Sequence, residues 1–361
     1  YPPHRADSWD SVGLVCGDPA DDVRRILLAV DPVLDVAAEA REWEADLVIV
    51  HHPLFLKGTS SVAASTPKGR VVHDLLTSGC ALYTAHTNAD APADGVSESI
   101  ALALGLVDPE PLDADALEPT DKLVVFVPVE SADEVRAAMT GAGAGAIGDY
   151  DSCTFTSTGQ GRFRPLAGAN PTIGTVGDVA TVDEVRIEAV CARGRRSAVL
   201  AAMLAAHPYE EPAYDVIELA ELDDRTRGSG RIGALESPMS LREFAELVAH
   251  TLPETAHGVR VAGDPDQVIE TVALCGGAGD FLLDRARAKG ADVYLTSDLR
   301  HHPASESREH GQTGMALVDV AHWAAEWMWL PTLRRKLAEA LGDTVEVRVS
   351  TINTDPWTFR V

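Results

Sequence analysis

Short apolar runs alternate with amphipathic stretches in the first third of this 361-residue chain, and that alternation limits the fold more than any other feature. Arg25–Val30 (RILLAV), Asp46–Val50 (DLVIV) and Cys80–Ala85 read as strands. Pro32–Trp43, Lys68–Ser78 and Gly95–Leu104 read as helices, the first with Val33, Val36, Ala37 and Ala40 on one face. A continuously apolar strand such as 46–50 belongs in a parallel sheet covered on both faces. The last third repeats the pattern. Helices are expected at Leu241–His250, Asp280–Lys289, His302–Glu309 and Trp323–Ala340, and strands at Val268–Leu274, Asp292–Leu295, Met315–Val318 and Thr344–Ser350. Both ends therefore predict α/β architecture with a mostly parallel sheet.

The middle departs from that rhythm. Leu123–Val129 and Val185–Cys191 read as strands, Ser131–Met139 and Arg195–Ala206 as helices, with Ser131 as a cap, and Tyr214–Leu219 as a further strand. Residues 140–182 are rich in Gly, Ser and Thr and suggest a loose hairpin. Two βαβ halves around a hairpin predict a ferredoxin-like α+β module. Asp113–Pro119 and Asp223–Gly230 are polar and turn-rich, as linkers are. The expected organisation is one split α/β domain, 1–118 with 230–361, interrupted by an inserted ferredoxin-like module at 119–229.

Composition excludes several classes. A hydrophobic share of 45% is too high for a disordered chain. The longest apolar runs fall short of the ~18–20 residues of a membrane span, so no membrane partner is expected. The 56 acids and 30 Lys plus Arg leave a net charge of −26, which repels phosphate backbones and argues against coating nucleic acid. A small anion in a local pocket is compatible with it. Five scattered cysteines without a C-x-x-C read as reduced thiols in a cytoplasmic protein. The chain opens on Tyr1, so its natural start is expected upstream; no secretory leader pattern is visible.

Histidines and carboxylates collect after the expected strands. His51-His52 follows 46–50. His86-Thr87-Asn88-Ala89-Asp90 follows the next strand, Asp298-Leu299-Arg300-His301-His302 a third, and Asp319-Val320-Ala321-His322 a fourth, with Glu326 four residues on. Carboxyl ends of strands are where open α/β sheets bind ligands. His322 and Glu326, at i and i+4, point the same way on a helix. Adjacent His51 and His52 cannot share a face while extended, but they could serve two metal ions ~3.5–4 Å apart. A single His-His pair or a lone His-x-x-x-Glu is ordinarily a core or surface pair. Four strand ends delivering such groups to one edge favour a metal site, and mixed His and carboxylate ligands without Cys suit Zn, Mn or Fe(II).

Trp9-Asp10-Ser11-Val12-Gly13-Leu14, His51-His52-Pro53-Leu54, Ala85-His86-Thr87-Asn88-Ala89-Asp90, Ser297-Asp298-Leu299-Arg300-His301-His302 and His322-Trp323-Ala324-Ala325-Glu326 occur in this order along both outer segments. In them the chain resembles the Ngg-interacting-factor-three-like family, whose bacterial members carry the name GTP cyclohydrolase 1 type 2 homologue. The resemblance implies a dinuclear metal centre held by His51, His52, Asp90, His322 and Glu326, with Glu326 or Asp90 shared between two divalent ions. It places His86, Asp298 and His302 on the same cavity, behind the ligands or on a substrate. Thr296-Ser297-Asp298 departs from the family's Thr-Gly-Asp. The resemblance also implies a toroidal homohexamer built as a trimer of dimers.

Several other motifs carry less. His207-Pro208-Tyr209-Glu210-Glu211-Pro212 resembles a stretch of CutA-like trimeric proteins and reads as a turn at a contact rather than a metal site. Gly143-x-Gly145-x-x-Gly148 follows a helix rather than a strand and reads as a loop. Gly276–Asp280 follows a strand and reads either as an anion-holding turn or as a plain tight turn. Trp323 and Trp327 share a helical face and read as core or subunit packing. Two functions stand at this point. One is a metal-dependent hydrolase acting on a small molecule such as a purine nucleotide. The other is a non-enzymatic metal-handling protein, or a ligand-sensing assembly.

Overall fold

A computed structural model describes residues 1–309 and 314–361. The chain divides into two compact units, Tyr1–Asp115 with Asp224–Val361, and Ala116–Asp223.

The first unit is mixed α/β and holds two sheets where one was expected. In one sheet the order is Gly13–Cys16, Ala81–Thr84, Leu47–Val50, Arg25–Ala29 and Glu346–Val349, parallel except for the first, edge strand. The period-2 alternation of strand side chains explains its apolar runs. Leu27, Ala29, Val48 and Val50 meet the helices Leu34–Glu42 and Pro67–Thr77 through Val36, Ala40, Val72 and Leu75. Ile26 and Leu28 turn to the opposite face and join a larger core with Phe244, Leu274, Leu295, Val318 and Trp329. The other sheet runs Arg260–Ala262, Ala316–Val320, Val293–Ser297, Val268–Ala278, Asp223–Ser240 and Leu106–Ala116. Its three central strands are parallel, and Arg260–Ala262 and Asp223–Ser240 join them antiparallel.

The second unit is a four-stranded antiparallel sheet, ordered Phe155–Phe163, Ala180–Ala192, Thr120–Pro128 and Tyr214–Glu218. Helices Ala132–Gly141 and Arg196–Ala206 cover one face through Val135, Met139, Val199 and Met203. The Gly/Ser/Thr-rich segment is a regular hairpin arm, paired from Phe155↔Glu188 to Phe163↔Ala180.

Other expectations are corrected. The boundaries between the two units fall inside both turn-rich segments, but residues 113–116 and 223–230 lie in strands Leu106–Ala116 and Asp223–Ser240 rather than in loops. Gly228 is part of the reason, since a Cβ there would lie 2.3 Å from the Asp113 carbonyl. Its missing side chain allows a close backbone approach that reads as a linker signal in sequence. The helix expected over 323–340 is two, His322–Trp327 and Trp329–Leu341. Pro331 lacks an N–H, and its ring opposes the carbonyl of Trp327, which breaks the helix at Met328. Ser131 makes no side-chain cap, whereas Ser240 and Glu243 form a reciprocal capping box. Cys80, Cys191 and Cys275 are buried, Cys16 and Cys153 half-buried, and all five are free thiols. Trp323 and Trp329 are core residues. Among the described residues no helix is long and apolar enough to cross a membrane.

Candidate metal centre

The parallel ladder places the first pair of imidazoles. His51 and His52 continue directly from strand Leu47–Val50, and their backbone N–H groups still bond across to the Val30 carbonyl, at 3.1 and 2.9 Å. His86 opens the short helical turn Thr87–Asp90 after strand Ala81–Thr84. His322 and Glu326 lie one turn apart on the helix that follows strand Ala316–Val320. The four rings form one cluster. Ring centroids are 5.2 Å apart for His51–His52, 5.1 Å for His51–His86, 5.7 Å for His52–His86 and 5.2 Å for His52–His322.

Each ring is held by the same nitrogen. Nδ1 of His51 donates to the Ala85 carbonyl at 2.9 Å. Nδ1 of His52 donates to Asp31 at 2.7 Å, that of His86 to Asp10 at 2.9 Å, and that of His322 to Asp298 at 2.7 Å. The acceptors are carbonyls or carboxylates, so the proton sits on Nδ1 and Nε2 faces the cluster. This is the arrangement that prepares an imidazole for a metal. The Nε2 atoms converge on one carboxylate. Those of His52 and His322 lie 2.9 Å from Glu326 Oε2 and Oε1, and that of His51 lies 3.4 Å from Oε1 and 3.5 Å from Asp90 Oδ1.

A cation fits this arrangement better than hydrogen bonding does. His51 Nε2 and Glu326 Oε2 are buried atoms with no hydrogen-bond partner among the described residues. Buried polar atoms are normally satisfied. Burial alone would raise the Glu326 carboxyl, but His52, His51 and His322 hold it well below the carboxylate range. In return, burial would lower His52 and His322, yet Glu326, with Asp31 and Asp298 respectively, lifts them to about 11 and about 10. Burial pushes the half-buried Asp90 up to about 6, against the pull of His51. Among the described residues, two triads have ligand atoms close enough to hold an ion: His51, His52 and His86, and His52, His322 and Glu326.

The backbone is shaped to this cluster. Gly277 has φ +69°, and a Cβ there would lie 2.7 Å from Glu326 Oε1 and 3.4 Å from His322 Nε2. Thr296 and Tyr294 fix its turn by donating to the Gly277 and Gly279 carbonyls. Asp298 sits at φ +56°, a conformation uncommon outside glycine, with its carboxylate on His322.

His51, His52, His86, Asp90, His322 and Glu326 thus come together, and Asp298 stands behind His322. His302 does not join them. It is exposed, and its ring lies 5.2 Å from that of His301. Three contributors went unassigned in the sequence reading. Asp31 follows strand Arg25–Ala29, so the strand-end rule that singled out His51 also covers it. Asp10 lies inside the Trp9-Asp10 motif, and Gly277 inside the turn read as either an anion holder or a plain tight turn. In the second unit, His207 uses both nitrogens: Nε2 donates to the Phe126 carbonyl at 2.9 Å and Nδ1 accepts from the Tyr209 N–H at 3.1 Å. That ring holds a turn.

Comparison with known proteins agrees in extent. A Mycobacterium tuberculosis protein named GTP cyclohydrolase 1 type 2 homolog is 49% identical over 99% of this chain and 93% of its own length. A Bacillus subtilis protein of the same name is 39% identical over 97% and 93%. Among solved structures, a Bacillus cereus protein related to NIF3 matches at 37% identity with a TM-score of 0.71, covering 100% of this chain and 96% of that one. A Staphylococcus aureus protein matches at 29% identity with a TM-score of 0.81, over 99% and 95%. The Duf34/NIF3 (NGG1p interacting factor 3) family model spans residues 1–356, and the chain belongs to that family.

Proposed function

We propose that the chain holds two divalent transition-metal ions, Zn, Fe(II) or Mn, and hydrolyses a small molecule. The observation that carries this reading is the common anchoring of four imidazoles by Nδ1, which leaves the Nε2 atoms of His51, His52 and His322 around Glu326. His51, His52, Asp90, His322 and Glu326 would be the ligands, with Glu326 as the shared carboxylate. Such ions supply Lewis-acid polarisation and lower the pKa of water. The chain's own residues supply the rest. Asp31 and Asp298 orient His52 and His322. Asp10 orients His86, which stands beside His51 and His52 as the group to hold or move a proton. A purine nucleotide is the substrate to try first, because the relatives' name points to GTP.

The finer architecture belongs to the same reading. The 116–223 unit is an inserted ferredoxin-like, CutA/PII-like module in a metal domain of mostly parallel strands. The protein is cytoplasmic and assembles with itself as a hexameric trimer of dimers, as the family resemblance implies; light scattering checks the assembly. For function, metal-loaded protein is screened against nucleotides and phosphoesters beside Glu326→Ala. Turnover lost in the variant is the expected result. Equal turnover in both contradicts the reading, and a full metal load with no turnover on any substrate favours metal handling.

A further inference from the structure

The end of the chain returns to the metal centre. Beyond strand Glu346–Val349, the Ser350 carbonyl accepts from Trp327 Nε1 at 2.9 Å, Asn353 Nδ2 donates to the Glu254 carbonyl at 3.3 Å, and the Thr354 hydroxyl donates to Asp31. Asp31 is the carboxylate that holds His52, so the tail is joined to the site through a single residue. Thr354, Asp355 and Trp357 then line a cavity of about 310 Å³ whose other walls include His52, His322, Asp298 and His257.

Two features of this wall have no role inside the protein. Trp357 is 68% exposed, although an indole at the rim of a polar cavity gains nothing from water on its face. Asp355 Oδ2 is buried and has no hydrogen-bond partner among the described residues. The charged and titratable groups facing it are His257, Asp298, Asp31 and His322. An ionised carboxylate accepts and does not donate, so the unpartnered Asp355 Oδ2 calls for a donor. The volume suits a molecule of one or two rings, at the low end of ligand sites.

We propose that Thr354–Trp357 forms the specificity wall of this centre and takes a planar nitrogen-containing ring, stacked on the Trp357 indole, with an edge N–H donating to Asp355 Oδ2. The inference rests on the metal reading for the identity of the site but not for the ring contact. Thr354 is a positioning residue that acts through Asp31 and His52. Trp357 and Asp355 touch the ligand.

The probe is 2-aminobenzimidazole, a bicycle with N–H donors on one edge, and quinoxaline is its donor-free counterpart. Binding is measured by titration calorimetry on zinc-loaded and chelator-stripped protein, with zinc content and Tm recorded for every variant. Wild type should bind 2-aminobenzimidazole in both forms. Trp357→Ala should weaken both compounds about tenfold, the scale of losing one aromatic stacking partner. Asp355→Asn should weaken 2-aminobenzimidazole about fivefold and leave quinoxaline unchanged, with zinc content and Tm held in both variants. No uptake of the probe by wild type, or affinities indifferent to both substitutions, overturns the proposal. Zinc retained with indifferent ring binding sinks the proposal and spares the metal reading. Ring binding that depends on Trp357 in a protein that never holds zinc supports the wall and sinks the metal reading.

Discussion

Asp121 in one unit and Glu326 in the other are both buried carboxylates, and the two are satisfied in different ways. Asp121, in the second unit, has no exposed side-chain surface and accepts hydrogen bonds from Arg193 Nε at 3.2 Å and Arg196 Nε at 2.6 Å. Glu326, in the first, is 3% exposed and has the Nε2 atoms of His51, His52 and His322 within 3.4 Å of its oxygens. Two guanidiniums meet a carboxylate with fixed, charged donors. Imidazoles anchored at Nδ1 bring no second proton unless they are charged. The first pair is a finished structural contact. The second is finished by protons on Nε2 or by a metal cation. A buried acid thus marks a site when its partners are ligand atoms, and marks architecture when they are permanent donors.

Glu326→Ala should have the largest effect. It removes the oxygens nearest three Nε2 atoms, so elemental analysis should find most of the metal gone, and added zinc should no longer raise Tm as it does in wild type. Gly277→Ala comes next. The new Cβ meets Glu326 and needs φ +69°, which should cost about 1–3 kcal/mol of stability in chemical denaturation and lower zinc affinity. Asp31→Asn and Asp298→Asn leave every ligand in place but disturb the orientation of His52 or His322. Each should weaken metal binding about tenfold or more, read by competition with a chelator.

The other carboxylate gives a stability effect instead. Asp121→Asn should destabilise the second unit by about 2 kcal/mol at neutral pH, a buried-pair penalty reduced because both arginines are one-third exposed. Hydrogen bonds from Arg196, then Arg193, hold the Asp121 carboxyl below its ordinary value. Its contribution is therefore present above ~pH 4 and fades as pH falls through the folded-state value. The wild-type advantage over Asp121→Asn in thermal unfolding should shrink at pH 3, with metal content unchanged throughout. An advantage that grew on acidification would contradict this assignment. The smallest effect belongs to His302→Ala, which should alter metal content by less than the scatter of the assay, because that ring lies exposed beside His301.

His51-His52 and His301-His302 also show how far the sequence could be read. Both dipeptides follow strands of the first unit. The first stays in the ladder, with its backbone bonded to Val30, and so its rings are aimed. The second opens a helix and turns to solvent. Periodicity located the strands and helices of both ends, because burial on two faces leaves continuous apolar runs. It could not say that these strands form two sheets, since the pairing of Glu346–Val349 with Arg25–Ala29 joins opposite ends of the chain. The ligands were legible because strand ends are local features. Their anchors were less so: Asp10 reaches His86 across 76 residues, and Thr354 reaches Asp31 across 323. Glycines misled twice, since Gly228 sits in a strand and Gly277 lies against Glu326.

In the proposed centre Glu326 would be the carboxylate common to two metal ions. Elemental analysis of zinc-loaded, desalted wild type and Glu326→Ala tests it most directly. Two ions per wild-type chain and at most a small remnant in the variant are expected. Two ions retained by the variant, or none taken up by wild type, would contradict it.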